Sequence, residues 1–296
     1  MSAHVFGIYG FNFCREIRVG DISLIPLYEN CGEARLKAED KRIFHLTGYG
    51  KFDAEPLPET GFKYVEKVNL LQDVMTFCDQ LWVLTSEYIN VPIGGVTIED
   101  SVARFSRFFD FHQERASIGP FIEEQAFCPN AREDLLNLCL TKLQDENFEQ
   151  DTEFRKAFYR QIETLRLRVP FAEVIYYFVF SALEILARKN RNDYRQPYRQ
   201  PNVAAVINPF LTDLGFATTQ SEIEEWAALR NALFYQGQLT NEIKRNSTTI
   251  KLTEQNFFNI CVQLKQLLPD VLLKLMDYNE KHINWNRWRD RKPFLA

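Results

Sequence analysis

Apolar and polar positions change rhythm once along this chain. Up to about residue 98, short β-favouring runs at 4–9, 22–28, 42–48 and 81–91 are separated by turn residues, among them Gly10, Gly20, Pro26, Gly48, Pro56, Pro92 and the Gly94-Gly95 pair. Runs of this kind predict antiparallel strands, arranged as a sandwich or a barrel. From Thr97 onward the apolar spacing is helical, beginning with Val102, Phe105 and Phe109. Helices are predicted at 131–143, 151–167, 170–188, 202–214, 220–236 and 253–279, several with a start signal such as Thr253 or a stop signal such as Gly215 and Gly237. The pattern describes an α+β chain in three parts: a β-rich module over 1–115, an all-α bundle over 116–280 and a basic, aromatic tail over 281–296.

Two of the predicted helices carry chemistry. On a helical wheel of 221–236, Ile223, Trp226, Ala227, Leu233 and Phe234 gather on one side, and Arg230 falls in the middle of them. A charge there is costly unless it is paired, held for a purpose or able to snorkel to water. The second helix, 171–188, is apolar nearly all round, as befits the centre of a bundle or a face covered by a second subunit. Its acids, Glu173 and Glu184, share a narrow stripe. Glu184 is a candidate partner for Arg230, or for Arg188 one turn along the same helix.

Composition narrows the partners. The formal net charge of −5 supplies no global field to draw in nucleic acid, so an RNA role has to rest on a local basic patch. The most apolar stretch, 171–187, contains both acids, and no membrane span is expected. Cys14, Cys31, Cys78, Cys128, Cys139 and Cys261 are scattered and do not cluster with the four histidines, so buried reduced thiols and no metal are expected. With no basic-then-apolar leader pattern at the start, the expected location is cytoplasmic. No phosphate loop, nucleophile elbow or dinucleotide fingerprint occurs, and no cofactor is expected.

The string Leu229-Arg230-Asn231-Ala232-Leu233-Phe234-Tyr235-Gln236-Gly237 resembles the signature of the HEPN superfamily, helical-bundle RNases and nucleotide-binding proteins. That signature is an Arg, usually followed by Asn, then roughly four to six residues, a His and often a Gly. The order of parts over roughly 130–280 is similar as well. An apolar helix with a late acid (Glu184) is followed by a polar loop, a short helix ending at Leu214-Gly215-Phe216, the signature helix and a long closing helix. A β-rich half before such a bundle resembles the layout of HEPN proteins in bacterial abortive anti-phage systems.

The resemblance implies a metal-independent endoribonuclease site formed between two copies, a homodimer acting on RNA, with a regulatory or antitoxin protein as a further partner. By position, Arg230 would steady the phosphate with its planar fork, Asn231 would orient the reacting groups and Glu184 would support them. The histidine is where this chain departs. Tyr235 and Gln236 occupy the positions at which the family places it, and the next His is His282. A phenol titrates near ~10 and an amide not at all, so neither replaces imidazole as a proton shuttle at neutral pH. Three explanations stay open: a degenerate, non-cleaving member, a Tyr235 that moves protons poorly, or a His exchanged to silence a toxic RNase. Arg107 and His112 have a similar spacing but lack the Asn and Gly, and His112 reads as a half-buried structural residue.

Two basic segments offer RNA contacts. The loop 189–201 repeats Tyr-Arg-Gln-Pro in tandem, and Arg191, Tyr194, Arg195, Tyr198 and Arg199 combine phosphate-binding charge with stacking rings. Its simpler reading is a solvated loop held open by prolines. The tail alternates Lys281, Arg287, Arg289, Arg291 and Lys292 with Trp285 and Trp288, and either contacts RNA or docks on the bundle. The expected function is an RNA-directed defence or toxin-type protein. The alternative is a non-catalytic HEPN-like scaffold that binds RNA, nucleotide or a partner, and a third reading makes the β-rich half a ligand sensor.

Overall fold

A computed structural model describes residues 2–54, 61–87, 89–92, 97–110, 115, 120–122, 130–167, 171–190, 202–245, 247–278 and 283. The chain divides into two compact units, the first running to Thr141 and the second from Lys142, so the first extends past the change of rhythm in the sequence.

The first unit is built on β1 (Ser2–Tyr9), β2 (Ile17–Val19), β3 (Ile22–Pro26), α1 (Cys31–Ala38), β4 (Ile43–Ala54), α2 (Gly61–Asp79), β5 (Leu84–Thr85), β6 (Ile89–Pro92), α3 (Ile98–Val102), β7 (Phe108–Asp110) and α4 (Ala131–Gln144). The expected sandwich or barrel is not what forms. Among the described residues of this unit, a single antiparallel sheet runs in the order β2-β3-β4-β1-β5, with β6 also pairing β1 and β7 also pairing β4. The physical reason is α2: Val68, Leu71, Met75 and Cys78 recur at helical spacing and are buried, so a helix supplies cover that a second sheet would otherwise give. Lys67 of α2 lies over the Phe52 ring of β4, 5.4 Å from its centroid. On the sheet, Val5 and Tyr9 of β1 pack with Phe44, Leu46, Val91, Val102 and Phe105.

Residues 4, 6 and 8 of β1 face Phe52, Gly50 and Gly48 of β4. A Cβ on Gly48 would sit 2.5 Å from the Ile25 carbonyl oxygen and closer still to the Phe13 ring, so only glycine lets the ring lie against the strand. At the sheet edge, Gln72 of α2 turns its amide oxygen to β5, where it accepts from both the backbone N–H and the hydroxyl of Thr85 at 2.9 Å.

Charges are buried deep in this unit. Asp79 closes α2 and pairs with Arg132 of α4, and both are out of water. Asp79 also accepts the Asn12 N–H at 2.8 Å, and Arg132 donates to the Ile122 carbonyl at 2.7 Å. Burial pushes the Asp79 carboxyl above its usual range, against the opposing pull of Arg132. Arg115 donates to the backbone oxygens of Trp82 and Ala38 at 2.7 and 2.9 Å and to that of Asp40, and stacks 4.3 Å from the Phe44 ring centre.

The cysteines correct a second expectation. Cys14 and Cys31 form a disulfide that ties the β1–β2 connection to the start of α1. Spacing hid this, because the two thiols lie 17 positions apart and meet only through the fold. Cys78, Cys139 and Cys261 are buried free thiols, with burial pushing Cys78 up to about 12 and Cys261 to about 11; Cys128 lies outside the described residues.

The second unit contains α5 (Glu146–Thr152), α6 (Phe154–Arg166), α7 (Ala172–Asn190), α8 (Val203–Asp213), α9 (Gln220–Gln236), β8 (Asn241–Arg245), β9 (Thr248–Leu252) and α10 (Glu254–Leu275). The helix predicted over 151–167 is interrupted at Glu153, whose left-handed φ of 59° ends α5 and starts α6. This unit is not all-α either. The β8–β9 hairpin pairs Ile243 with Ile250 in the stretch between the two predicted helices, where the β-branched Thr248, Thr249 and Ile250 favour a strand. The central helix is α7, which packs against α5, α6, α8, α9 and α10. Its Tyr176 hydroxyl, fully buried, donates to the Trp226 carbonyl of α9 at 2.7 Å. Among the described residues, no helix is long and apolar enough to cross a membrane.

Two outcomes follow for stability. Cys14→Ser lowers the unfolding free energy by about 2–4 kcal/mol, the range for opening a loop of this length, and urea midpoints of the oxidised and reduced chains differ accordingly; equal midpoints would show that the bond does not form. His4, buried and stacked on Phe52 with ring centres 5.3 Å apart, has its pKa lowered from 6.5 by burial. The folded chain therefore resists a proton that the unfolded chain accepts, and stability falls as the pH drops below about 6.5. His4→Phe flattens the dependence of melting temperature on pH between about 7 and 5; an unchanged slope would place the titration elsewhere.

Candidate functional site

The signature helix α9 has well-defined ends. Thr219 accepts the Glu222 N–H at 3.2 Å while the Glu222 carboxylate accepts the Thr219 N–H at 2.9 Å, a reciprocal cap on the first turn. Gly237, at φ 65°, closes the last turn in the left-handed region that favours glycine. The buried stripe is Ile223, Trp226, Leu229 and Ala232, so it is rotated from the one the wheel suggests. Arg230 lies at its flank, and Phe234 stays half exposed. The missing information was the partner: the Tyr176–Trp226 bond fixes which face of α9 meets α7.

Arg230 donates to Glu184 of α7 at 2.7 Å and to the Asn231 side-chain oxygen at 3.0 Å. The other oxygen of Glu184 accepts from Arg188, at 2.9 Å from Nε and 2.8 Å from Nη2. The two partners the sequence left open for Glu184 are thus both satisfied, one on each carboxylate oxygen. The Arg230 guanidinium also lies 5.4 Å from the Phe180 ring centre. Arg230, Glu184 and Arg188 keep 21%, 20% and 13% of their side chains exposed, so the cluster is drawn partly out of water and still reachable from it. One carboxylate between two guanidiniums leaves one net positive charge.

Beside this cluster is a cavity of about 250 Å³ lined by Tyr177, Phe180, Ser181, Glu184, Arg230, Phe234 and Tyr235. Tyr235 is 80% exposed at its rim, and Asn231 and Gln236 are exposed on the same helix. Among the described residues, neither Gln236 nor an imidazole lines the cavity. No family model matches this sequence, and no curated protein or solved structure matches it. The resemblance therefore stands on the nine-residue string and the order of parts in the sequence.

Arg191, Tyr194, Arg195, Tyr198 and Arg199 lie outside the described residues, as do His112 and the charged and tryptophan positions of the tail. Sequence reasoning missed Tyr177, Phe180 and Ser181. The signal was present: Tyr177, Ser181, Glu184 and Arg188 follow one another at steps of four, three and four, which places them along one face of α7. Chemically, the arrangement offers a fixed guanidinium fork, a second arginine that orients the shared carboxylate, and a wall of rings.

Glu184→Gln leaves two partly buried guanidiniums sharing one neutral acceptor, and costs about 1–3 kcal/mol of stability by urea denaturation. A double-mutant cycle between positions 184 and 230 gives a coupling of about 0.5–3 kcal/mol. Zero coupling would mean the pair does not form in solution.

Proposed function

We propose that this chain is an RNA-directed protein of defence or toxin type, whose helical unit keeps the phosphate-facing half of a metal-independent endoribonuclease site and lacks its proton-transfer half. The observation that carries the reading is the Glu184–Arg230–Asn231 network set beside Tyr235. It is the arrangement expected of a HEPN-like site, with a phenol near the position of the imidazole. A positioned acid–base group is worth about 10² to 10⁴ in rate, so the site binds RNA and cleaves it poorly or not at all. A homodimer belongs to the same reading, with α7 and α9 turned toward the second copy.

The test compares the chain with Tyr235→His on fluorescent single-stranded RNAs. The expected outcome is salt-sensitive binding by both, because phosphate contacts release counterions, with cleavage raised about 10²-fold or more in Tyr235→His and insensitive to chelators. Arg230→Ala in that background removes the group that stabilises charge on the phosphate and abolishes the gain. A folded Tyr235→His protein that stays inert on several RNAs would remove the catalytic ancestry from the reading.

A further inference from the structure

Three aromatic side chains remain open to solvent around one small cavity: Tyr177 is 40% exposed, Phe234 49% and Tyr235 80%. Single exposed rings are ordinary, whereas several grouped at a concave site beside a charged cluster mark a ligand surface. Two of these rings are also held in place. Tyr177 and Phe234 brace one another with ring centres 4.9 Å apart and planes inclined at 52°. They stand on α7 and α9, whose relative rotation is fixed by the buried Tyr176–Trp226 hydrogen bond. Little side-chain freedom is left to lose when a flat ligand arrives.

We infer that this cavity is a nucleobase pocket: one unstacked base lies against the outer face of the Tyr177–Phe234 pair beside Tyr235, and Arg230 with Arg188 attracts the phosphate of the same strand. The inference rests on the RNA-directed reading of the site and names what part of the RNA it takes. Size supports it, because about 250 Å³ lies below the range of drug-sized pockets and suits a single ring system. Charge supports it too. Glu184 neutralises one of the two guanidiniums, so a bare anion gains little here and a ligand has to draw on the rings as well. The polar lining of Ser181, Glu184 and Arg230 presents acceptors and donors together. Each of the three already has a protein partner, and the edge of a base can share their remaining lone pairs and N–H groups.

The experiment titrates the full chain with a short single-stranded oligoribonucleotide and with the same oligomer made abasic, read by fluorescence anisotropy. The natural oligomer should bind tighter, and Tyr177→Ala should weaken it by about 5- to 150-fold, the range for one stacking ring. Tyr177→Phe should restore the affinity and keep the melting temperature, because it retains the ring that packs on Phe234. If the abasic oligomer binds as well as the natural one and Tyr177→Ala changes nothing, the base pocket is overturned while RNA binding stands. If nucleoside monophosphates bind in a Tyr177-dependent way but no RNA is held or cut, the pocket stands and the RNA reading fails. Loss of a dimer in Tyr177→Ala without any discrimination between the oligomers would make the rings a protein contact and overturn the proposal. Absence of all binding overturns both.

Discussion

Taking a guanidinium out of water costs several kcal/mol unless its N–H groups meet acceptors, and each unit of this chain is arranged around that requirement. In the first, Arg132 reaches Asp79 and a backbone carbonyl with no water contact left. Arg115 is answered by carbonyl oxygens rather than by a paired carboxylate, and burial pushes it down to about 10. In the second, one carboxylate, Glu184, answers two arginines that keep 21% and 13% of their side chains exposed. The difference in burial separates the roles. Arg132 and Arg115 hold helices, strands and connections together and can offer nothing to a ligand. Arg230 is fixed enough to have a direction and exposed enough to use it.

What the sequence made legible follows from what each pattern depends on. Helical periodicity is local, and it located α4, α7, α8 and α9 to within a residue or two, although α7 buries residues on several sides and not one stripe. The pairing of Arg230 with Glu184 was legible for a related reason: a charge on an apolar helix needs a partner, and few acids lie on the neighbouring apolar helix. The exact face of α9 was not legible, since it depends on Tyr176 reaching the Trp226 carbonyl across the bundle. Nor was the Cys14–Cys31 bond, which is a property of the folded chain rather than of spacing. The expected sandwich failed at α2, where glycine and proline on either side of the helix drew attention from the stripe within it.

The candidate site has an asymmetry that bears on its chemistry. Its charge-handling groups sit on the middle of α9 and the last turns of α7, anchored by helix contacts on more than one side. Tyr235 sits in the final turn, exposed, just before Gly237 turns the chain away. The charged groups therefore have a fixed geometry, whereas this phenol stands where neighbours hold it little. A proton-transfer residue at that point would gain its alignment from whatever covers the turn, whether strand or second subunit.

The contact between Gln72 and Thr85 has a consequence for how the protein keeps to itself. Strand β5 ends the sheet order, and alternate N–H groups of such a strand point outward: that of Ser86 bonds inward to Gly7, and that of Thr85 faces away. An outward N–H is what an intruding strand from another molecule would pair with. Here the amide of α2 already occupies it, together with the neighbouring hydroxyl. The short strand is closed off by its own helix, and at this point the sheet offers no template for runaway growth into fibres.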